Sequence, residues 1–133
     1  MILTPSIIAK YYDKYNKEYF LNSLPSCSFD TMSSKDWLGT YQSTAYDNFD
    51  ASNQRILMSD LFDWEEYQIR DILIHEMIHC YLNVNQIDQN LTHGVQFKRM
   101  ANWFNKRWGM NIDIKYDLDN FKPLKKKKIS WFF

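Results

Sequence analysis

The run DILIHEMIHCYL at residues 71–82 constrains the fold of this chain more than any other feature. It is largely apolar, yet it contains His75, Glu76 and His79. Read as a helix, the run places the two histidines one turn apart on the same face, and Glu76 borders that face. Burial of polar or charged groups is costly unless a partner compensates for it. We therefore expect these three side chains to share a partner.

The spacing of these residues is that of the HExxH motif, in which two imidazoles bind one metal ion and the glutamate acts on a bound water. The motif fixes only three positions, so it also arises by chance. A histidine on an apolar helix face is often a core residue that hydrogen-bonds to the backbone. The motif alone therefore leaves a metal site and a structural role both open.

A catalytic zinc site needs a third protein ligand and an open position for water. The chain has neither the glycine and histidine that would extend the motif to HExxHxxGxxH nor any glutamate after Glu76. His93 is the one remaining histidine, and it lies at the start of a predicted helix next to Gly94, whose missing side chain would permit close approach to the metal. His93 is the predicted third ligand. Asp88 as the ligand, or His93 as an ordinary helix residue, are the alternatives.

The first part of the chain predicts one helix followed by strands. Thr4 as N-cap and Pro5 as first helical residue indicate a helix that ends at NSLP, residues 22–25. Short aromatic or β-branched runs then predict three strands, with AYDNFDASN (45–53) as a loop before the last. These runs are SCSFDTM (26–32), WLGTYQS (37–43) and QRILMS (54–59).

The second part predicts two helices and a strand. Asp63 and Glu66 have the spacing of a capping box, so the motif helix should begin there and extend to about Asn83. After the polar segment 85–90, Thr92 is the predicted cap of a further helix that ends at Gly109. An alternation of apolar and polar residues then predicts a half-buried C-terminal strand. Its apolar residues are Met110, Ile112, Ile114, Tyr116 and Leu118.

The composition fits one α+β domain over residues 1–133, and the 17% aromatic content favours a packed core. The two cysteines, Cys27 and Cys80, form no CxxC pair, which excludes a cysteine-based zinc finger. The first twenty residues have no basic region, no uninterrupted apolar stretch and no small-residue cleavage site of the kind that a signal peptide has, and no apolar run approaches about 20 residues. We expect a reduced cytoplasmic protein without a membrane partner.

The net charge of zero hides a strong asymmetry. Residues 1–92 contain six Lys/Arg and thirteen Asp/Glu, a net of −7, whereas residues 93–133 contain ten Lys/Arg and three Asp, a net of +7. The basic part could bind phosphates or could pair with the acidic part. In the tail, about 119–133, Lys125 to Lys128 and the aromatic residues behind them could bind single-stranded nucleic acid, or could form a solvated tail.

LIHEMIHCYL followed by THGVQFKRM resembles the SprT-like metalloprotease family. The shared pattern is HExxH, then a His-Gly pair that opens a helix, then an aromatic residue four positions beyond that histidine, here Phe97. Upstream, YNKEYFLNSLP resembles the first helix of the family and its exit, while WLGTY and RILMS resemble its strands. The resemblance covers about residues 8–108.

The resemblance implies a zincin-like α+β fold with a small three-stranded sheet, the HExxH helix and a second, histidine-bearing helix. It implies His75, His79 and His93 as Zn²⁺ ligands and Glu76 as general base in the hydrolysis of protein or peptide substrates. Spartan-related members cleave proteins crosslinked to DNA, which would give the basic part a use. Many relatives also carry a four-cysteine zinc ribbon, and this chain has no cysteine after Cys80.

The leading hypothesis is a zinc metallopeptidase. The main alternative is a nucleic-acid-binding module whose zinc site is structural or vestigial. A metal hydrolase for a non-peptide substrate is a third possibility. The fourth coordination position discriminates between the first two, since an open position facing a cleft favours catalysis and a fourth protein ligand favours structure.

Overall fold

The computed structural model describes residues 1–43 and 54–124. The loop predicted at 45–53 lies outside the described residues, as does the tail from residue 125 onward.

The first helix, α1 (Pro5–Phe20), confirms the predicted start at Thr4 and Pro5. The Thr4 hydroxyl oxygen accepts a hydrogen bond from the Ile7 amide at 3.2 Å. The helix ends at Leu21, which adopts the left-handed conformation with φ of 54°. The Asn16 side chain bonds both the amide and the carbonyl of Leu24, at 3.1 Å each, and so fixes the exit that the sequence predicted.

The three predicted strands form one sheet. They are β1 (Ser28–Met32), β2 (Gly39–Ser43) and β3 (Gln54–Ser59). β3 lies in the centre, parallel to β1 and antiparallel to β2. β2 is therefore an edge strand, and it packs against the motif helix.

The motif helix, α2 (Glu66–Val84), ends where predicted but does not use the predicted capping box. Its N-cap is Glu65, whose amide donates to the Gln68 side-chain oxygen at 3.0 Å. The helix begins late because Trp64 is 2% exposed and its indole donates to the Ser59 carbonyl at 2.9 Å, which keeps the preceding chain extended. Asp63 instead belongs to a short strand, β4 (Phe62–Asp63), and binds the amino group of Met1.

The last helix, α3 (Val95–Trp108), begins two residues later than the Thr92 cap predicted. Gly94 is its N-cap, and the Thr92 hydroxyl donates to the Asp88 carboxylate instead. Gly109 ends the helix in the left-handed conformation, φ of 66°, as predicted.

The predicted strand over residues 110–118 is wrong. The Asn105 side chain bonds the amide of Ile112 at 2.7 Å and its carbonyl at 3.0 Å, so a side chain satisfies groups that a sheet partner would otherwise satisfy. The segment continues into a 3₁₀ turn, Leu118–Asn120. The C-terminal strand is the two-residue β5 (Lys122–Pro123), which pairs with β4.

The described residues thus form an α+β fold with three α-helices and a small three-stranded sheet. Within residues 1–43 and 54–124, the helices are too short or too polar to cross a membrane.

Candidate metal centre and its cleft

Three histidines converge at one point between α2 and the chain entering α3. His75 and His79 come from successive turns of α2, and His93 comes from the loop just before the Gly94 cap. The Nε2 atom of His93 lies 3.2 Å from Nε2 of His75 and 3.2 Å from Nε2 of His79. The fold therefore brings together the three residues that the sequence nominated as ligands.

The spacing of these nitrogens fits a metal ion. Nitrogen ligands about 2.0–2.1 Å from a tetrahedral Zn²⁺ lie about 3.3–3.4 Å from one another. One ligand atom from each histidine lies within 4.8 Å of the others, and no other His, Cys, Asp or Glu joins this group among the described residues. Three residues that could hold a metal ion thus lie together, and the described residues offer no fourth protein ligand.

Phe97 forms the floor of the cluster. Its ring centre lies 4.7 Å from those of His75 and His79 and 4.8 Å from that of His93. The side chain is 1% exposed. One ring on α3 therefore restrains the orientation of all three imidazoles, a contact that the helical spacing of Phe97 did not reveal.

The cluster keeps its imidazoles neutral. Burial, followed by the neighbouring His79 and His93, lowers the pKa of His75 to about 3, and a weak backbone contact with Asp113 opposes this. Burial and His93 lower the pKa of His79 to about 4, and burial also lowers the pKa of His93. Neutral imidazole is the form that binds metal, so the site is ready for a cation at neutral pH.

Glu76 lies beside the cluster, against the edge strand. The side chain is 6% exposed, and burial raises its pKa to about 8, while a hydrogen bond with the Tyr41 backbone acts in the opposite direction. A cation in the cluster would favour the carboxylate form, because an opposite charge nearby lowers a carboxyl pKa. Glu76 is thus a buried carboxyl group that borders the three histidines.

Gly39 allows β2 to approach the motif helix this closely. A Cβ at this position would lie 3.2 Å from Cγ2 of Ile72 and 3.6 Å from Cγ of Glu76. The sequence showed a glycine in WLGTY but gave no sign of what it contacts, because the contact joins residues far apart in the chain. At the other end of this interface, Asn83 donates to the Tyr41 hydroxyl at 2.9 Å, which ties β2 to α2.

A cleft of about 560 Å³ opens onto the histidines and Glu76. One wall is residues 36–41, which lead into and include β2. The opposite wall is residues 114–116 and Leu118, in the segment that was predicted to be a strand. The Tyr116 hydroxyl accepts a hydrogen bond from the Asp113 amide at 2.8 Å, and burial raises the pKa of Tyr116. An extended chain fits a cleft with an edge strand along one side.

Asp88, the alternative ligand, is not part of the cluster. Its carboxylate accepts hydrogen bonds from the Thr92 hydroxyl and from the amides of Asn90 and Thr92. It therefore shapes the loop that delivers His93. Gly94 is the N-cap of α3. A Cβ there would lie 3.1 Å from the Thr92 hydroxyl oxygen, so the group nearest to Gly94 belongs to its own loop.

Comparison with known proteins agrees with this geometry. A search of curated proteins finds no significant match. A family model for the SprT-like family, in contrast, matches residues 8–116. That match runs from α1 through the three histidines to the far wall of the cleft and covers well over half of the sequence, so the chain belongs to the SprT-like family.

Proposed function

We propose that this protein is a zinc-dependent peptidase with a zincin-type site, in which His75, His79 and His93 are the metal ligands and Glu76 is the general base. The observation that carries the proposal is that Nε2 of His93 lies 3.2 Å from Nε2 of both His75 and His79, beside a buried carboxyl group in a cleft. Membership of the SprT-like family supports a metalloprotease.

Three neutral imidazoles would select a metal such as Zn²⁺ from the ions available to a protein. When bound, Zn²⁺ supplies Lewis acidity: it lowers the pKa of a water in the open position and polarises a carbonyl. The rest of the chemistry falls to the chain itself. Glu76 accepts a proton from the attacking water and can deliver it to the leaving amine.

The substrate backbone would lie along the free edge of β2, as peptides do in strand addition. The hydrogen bond between the Tyr41 backbone and Glu76 supports this placement, because it puts the base at the edge where a paired peptide would run. The walls at residues 36–38 and 114–118 would then contact the substrate side chains.

Substitution of Glu76 by Gln tests the mechanism. The variant should retain one metal ion per chain, measured by plasma mass spectrometry, because Glu76 is not a ligand. It should lose casein hydrolysis and autocleavage, because glutamine cannot accept the proton. Full activity in Glu76→Gln would rule the mechanism out.

A second element of the proposal is a nucleic-acid partner bound on the outer face of α3. This face carries exposed basic and aromatic side chains: Lys98, Arg99, Trp103, Lys106 and Arg107. Trp103 is 53% exposed and lines a shallow surface depression together with Arg99, Lys106 and Arg107. Cations beside exposed rings suit single-stranded DNA, since the cations contact phosphates and the rings stack on bases.

The acidic part of the chain does not form ion pairs with the cations on this face of α3. Across residues 1–43 and 54–124, Lys122 with Asp63, at 3.9 Å, is the ion pair that joins the basic part to the acidic part. None of the four cations on the α3 face forms an ion pair with an acidic side chain in those ranges. Pairing with the chain's own acidic part therefore does not account for this face.

A binding assay with single-stranded DNA distinguishes the alternatives. Affinity should fall steeply with salt and should drop in the double variant Trp103→Ala, Arg107→Glu. The double variant Lys10→Glu, Lys17→Glu on α1 changes exposed lysines elsewhere and should bind normally. Binding without salt dependence would contradict the proposed surface. Salt-dependent binding by a protein that hydrolyses no substrate, with or without DNA, would favour the nucleic-acid-binding module.

A further inference from the structure

The only two cysteines of the chain meet behind the motif helix. Cys80 directly follows His79 and is buried, whereas Cys27 lies just before β1 and is half-buried. Both are free thiols, and their side chains form a hydrogen bond with each other. The metal centre uses neither sulfur, so the pair has no role in the chemistry proposed above.

The surroundings hold the two sulfurs in place. Sγ of Cys27 donates to the Tyr12 hydroxyl at 3.3 Å, and that hydroxyl donates to the Pro25 carbonyl. Tyr12 is 2% exposed and contacts both thiols. A disulfide requires the sulfurs to come within about 2.05 Å. The hydrogen bond between the two thiols makes them neighbours, so a disulfide would join groups that the fold has already brought together.

The pair is also chemically asymmetric. Cys27 is the more exposed sulfur, so an oxidant reaches it first. The hydrogen bond with Cys80 lowers the pKa of the Cys27 thiol, while burial acts in the opposite direction. A larger thiolate fraction increases reactivity toward oxidants. Cys80 is buried inside α2, and the hydrogen bond with Cys27 followed by burial raises the pKa of its thiol, so Cys80 is the second of the two sulfurs to react.

We propose that Cys27 and Cys80 form a redox-active dithiol that hydrogen peroxide converts to an intramolecular disulfide. The Cys27 thiolate attacks one peroxide oxygen, the O–O bond breaks, and the departing hydroxide takes up a proton to give water and a sulfenic acid. The Cys80 sulfur then attacks the Cys27 sulfur, the S–O bond breaks, and the departing hydroxide takes the Cys80 proton. Two thiols are oxidised, and the peroxide is reduced to two waters.

Closure of this disulfide acts on the metal centre through two contacts. Cys80 belongs to the turn of α2 that carries His79, and it also hydrogen-bonds to the Tyr41 side chain. Tyr41 in turn contacts Glu76 through its backbone. Movement of Cys80 toward Cys27 displaces this turn, so the oxidised chain binds metal less tightly. This consequence rests on the proposed metal site, whereas formation of the disulfide does not.

Intact mass spectrometry of the full chain after hydrogen peroxide treatment tests the disulfide. The protein should lose two hydrogens, lose both Ellman-reactive thiols, yield a Cys27–Cys80 crosslinked peptide and recover with dithiothreitol. The Cys80→Ser variant should instead accumulate a sulfenic acid that dimedone traps at Cys27, and Cys27→Ser should leave Cys80 largely unreacted. Two surviving thiols, or addition of oxygen without loss of hydrogens, would overturn the proposal.

Competition with a chromophoric zinc chelator tests the coupling. The oxidised chain should bind Zn²⁺ about tenfold more weakly than the reduced chain, as for other losses of support around a ligand. Peroxide-treated Cys27→Ser should keep the affinity of its untreated form. Equal affinities of the oxidised and reduced chains would overturn the coupling. Absence of zinc binding in both chains would instead contradict the proposed metal site and leave the disulfide standing.

Discussion

Removal of the metal should leave a protein whose stability is greatest near pH 6.5. Burial raises the pKa of Glu76 from 4.5 to about 8 in the folded chain. Burial and neighbouring imidazoles lower the pKa values of His75 and His79 from 6.5 to about 3 and about 4. Above pH 6.5 the folded protein keeps a proton on Glu76 that the unfolded chain has released, so rising pH destabilises the fold. Below pH 6.5 the unfolded chain gains protons on both histidines, so falling pH destabilises it.

The size of the effect follows from proton counts. A difference of one proton changes the free energy of unfolding by about 1.4 kcal/mol per pH unit. From pH 6.5 to 8 Glu76 contributes a loss of about 1.6 kcal/mol. The two histidines, which are half-protonated in the unfolded chain at pH 6.5, offset about 0.8 kcal/mol of it, so the net loss is about 0.9 kcal/mol. From pH 6.5 down to 4.5 the unfolded chain gains protons on two histidines, whereas the folded chain holds one proton on Glu76. The unfolded chain thus binds about one proton more, which gives a loss of about 1.4 kcal/mol per pH unit. Burial lowers the pKa of His93 as well, so His93 adds to the acidic loss.

Urea denaturation in EDTA, followed by tryptophan fluorescence across pH 4.5–8, measures this profile. Glu76→Gln is the matched control, because it has nearly the same shape and no titration. Its stability should rise by about 0.8 kcal/mol from pH 6.5 to 8, as the unfolded histidines lose their remaining protons, and should fall more steeply in acid, by up to about 2.7 kcal/mol per pH unit. A wild-type profile that is flat or rising from pH 6.5 to 8, or an equal alkaline loss in the variant, would refute the reasoning.

Three further expectations concern metal retention and strand packing. His93→Ala should reduce metal content measured by plasma mass spectrometry, whereas Asp88→Ala should not; the reverse result would make Asp88 the ligand. Phe97→Leu removes the ring that contacts all three imidazoles, so it should weaken zinc affinity about tenfold. An unchanged affinity would show that the Phe97 ring does not orient the imidazoles. Gly39→Val adds a side chain whose Cβ would lie 3.2 Å from Cγ2 of Ile72, so β2 must move away from α2. We expect kcat to fall while the metal content stays the same. An unchanged kcat would show that β2 accommodates the larger side chain.

The features predicted correctly from the sequence are those that local signals specify. Thr4 and Pro5 start α1, and Gly109 ends α3, because cap geometry depends on neighbouring residues alone. The histidine cluster was predictable for a different reason. The helical period fixes His75 beside His79, and the chain contains one other histidine that could complete the set.

The errors arose where distant residues decide the local structure. Burial of Trp64 delays the start of α2, and no window around the predicted cap contains that information. Residues 110–118 alternate as a strand does, yet the Asn105 side chain takes the backbone groups of Ile112. The contact between Gly39 and the motif helix was equally hidden, since it appears only when the sheet and α2 are packed together.

The edge position of β2 also bears on self-association. A strand at the edge of a sheet exposes unpaired amides and carbonyls, and these pair with a second copy of the chain as readily as with a substrate. β2 has only five residues, which limits such pairing. If the proposed substrate pairs with β2, solubility and substrate affinity depend on the same row of backbone groups. A proline introduced into this strand should reduce aggregation and substrate binding together.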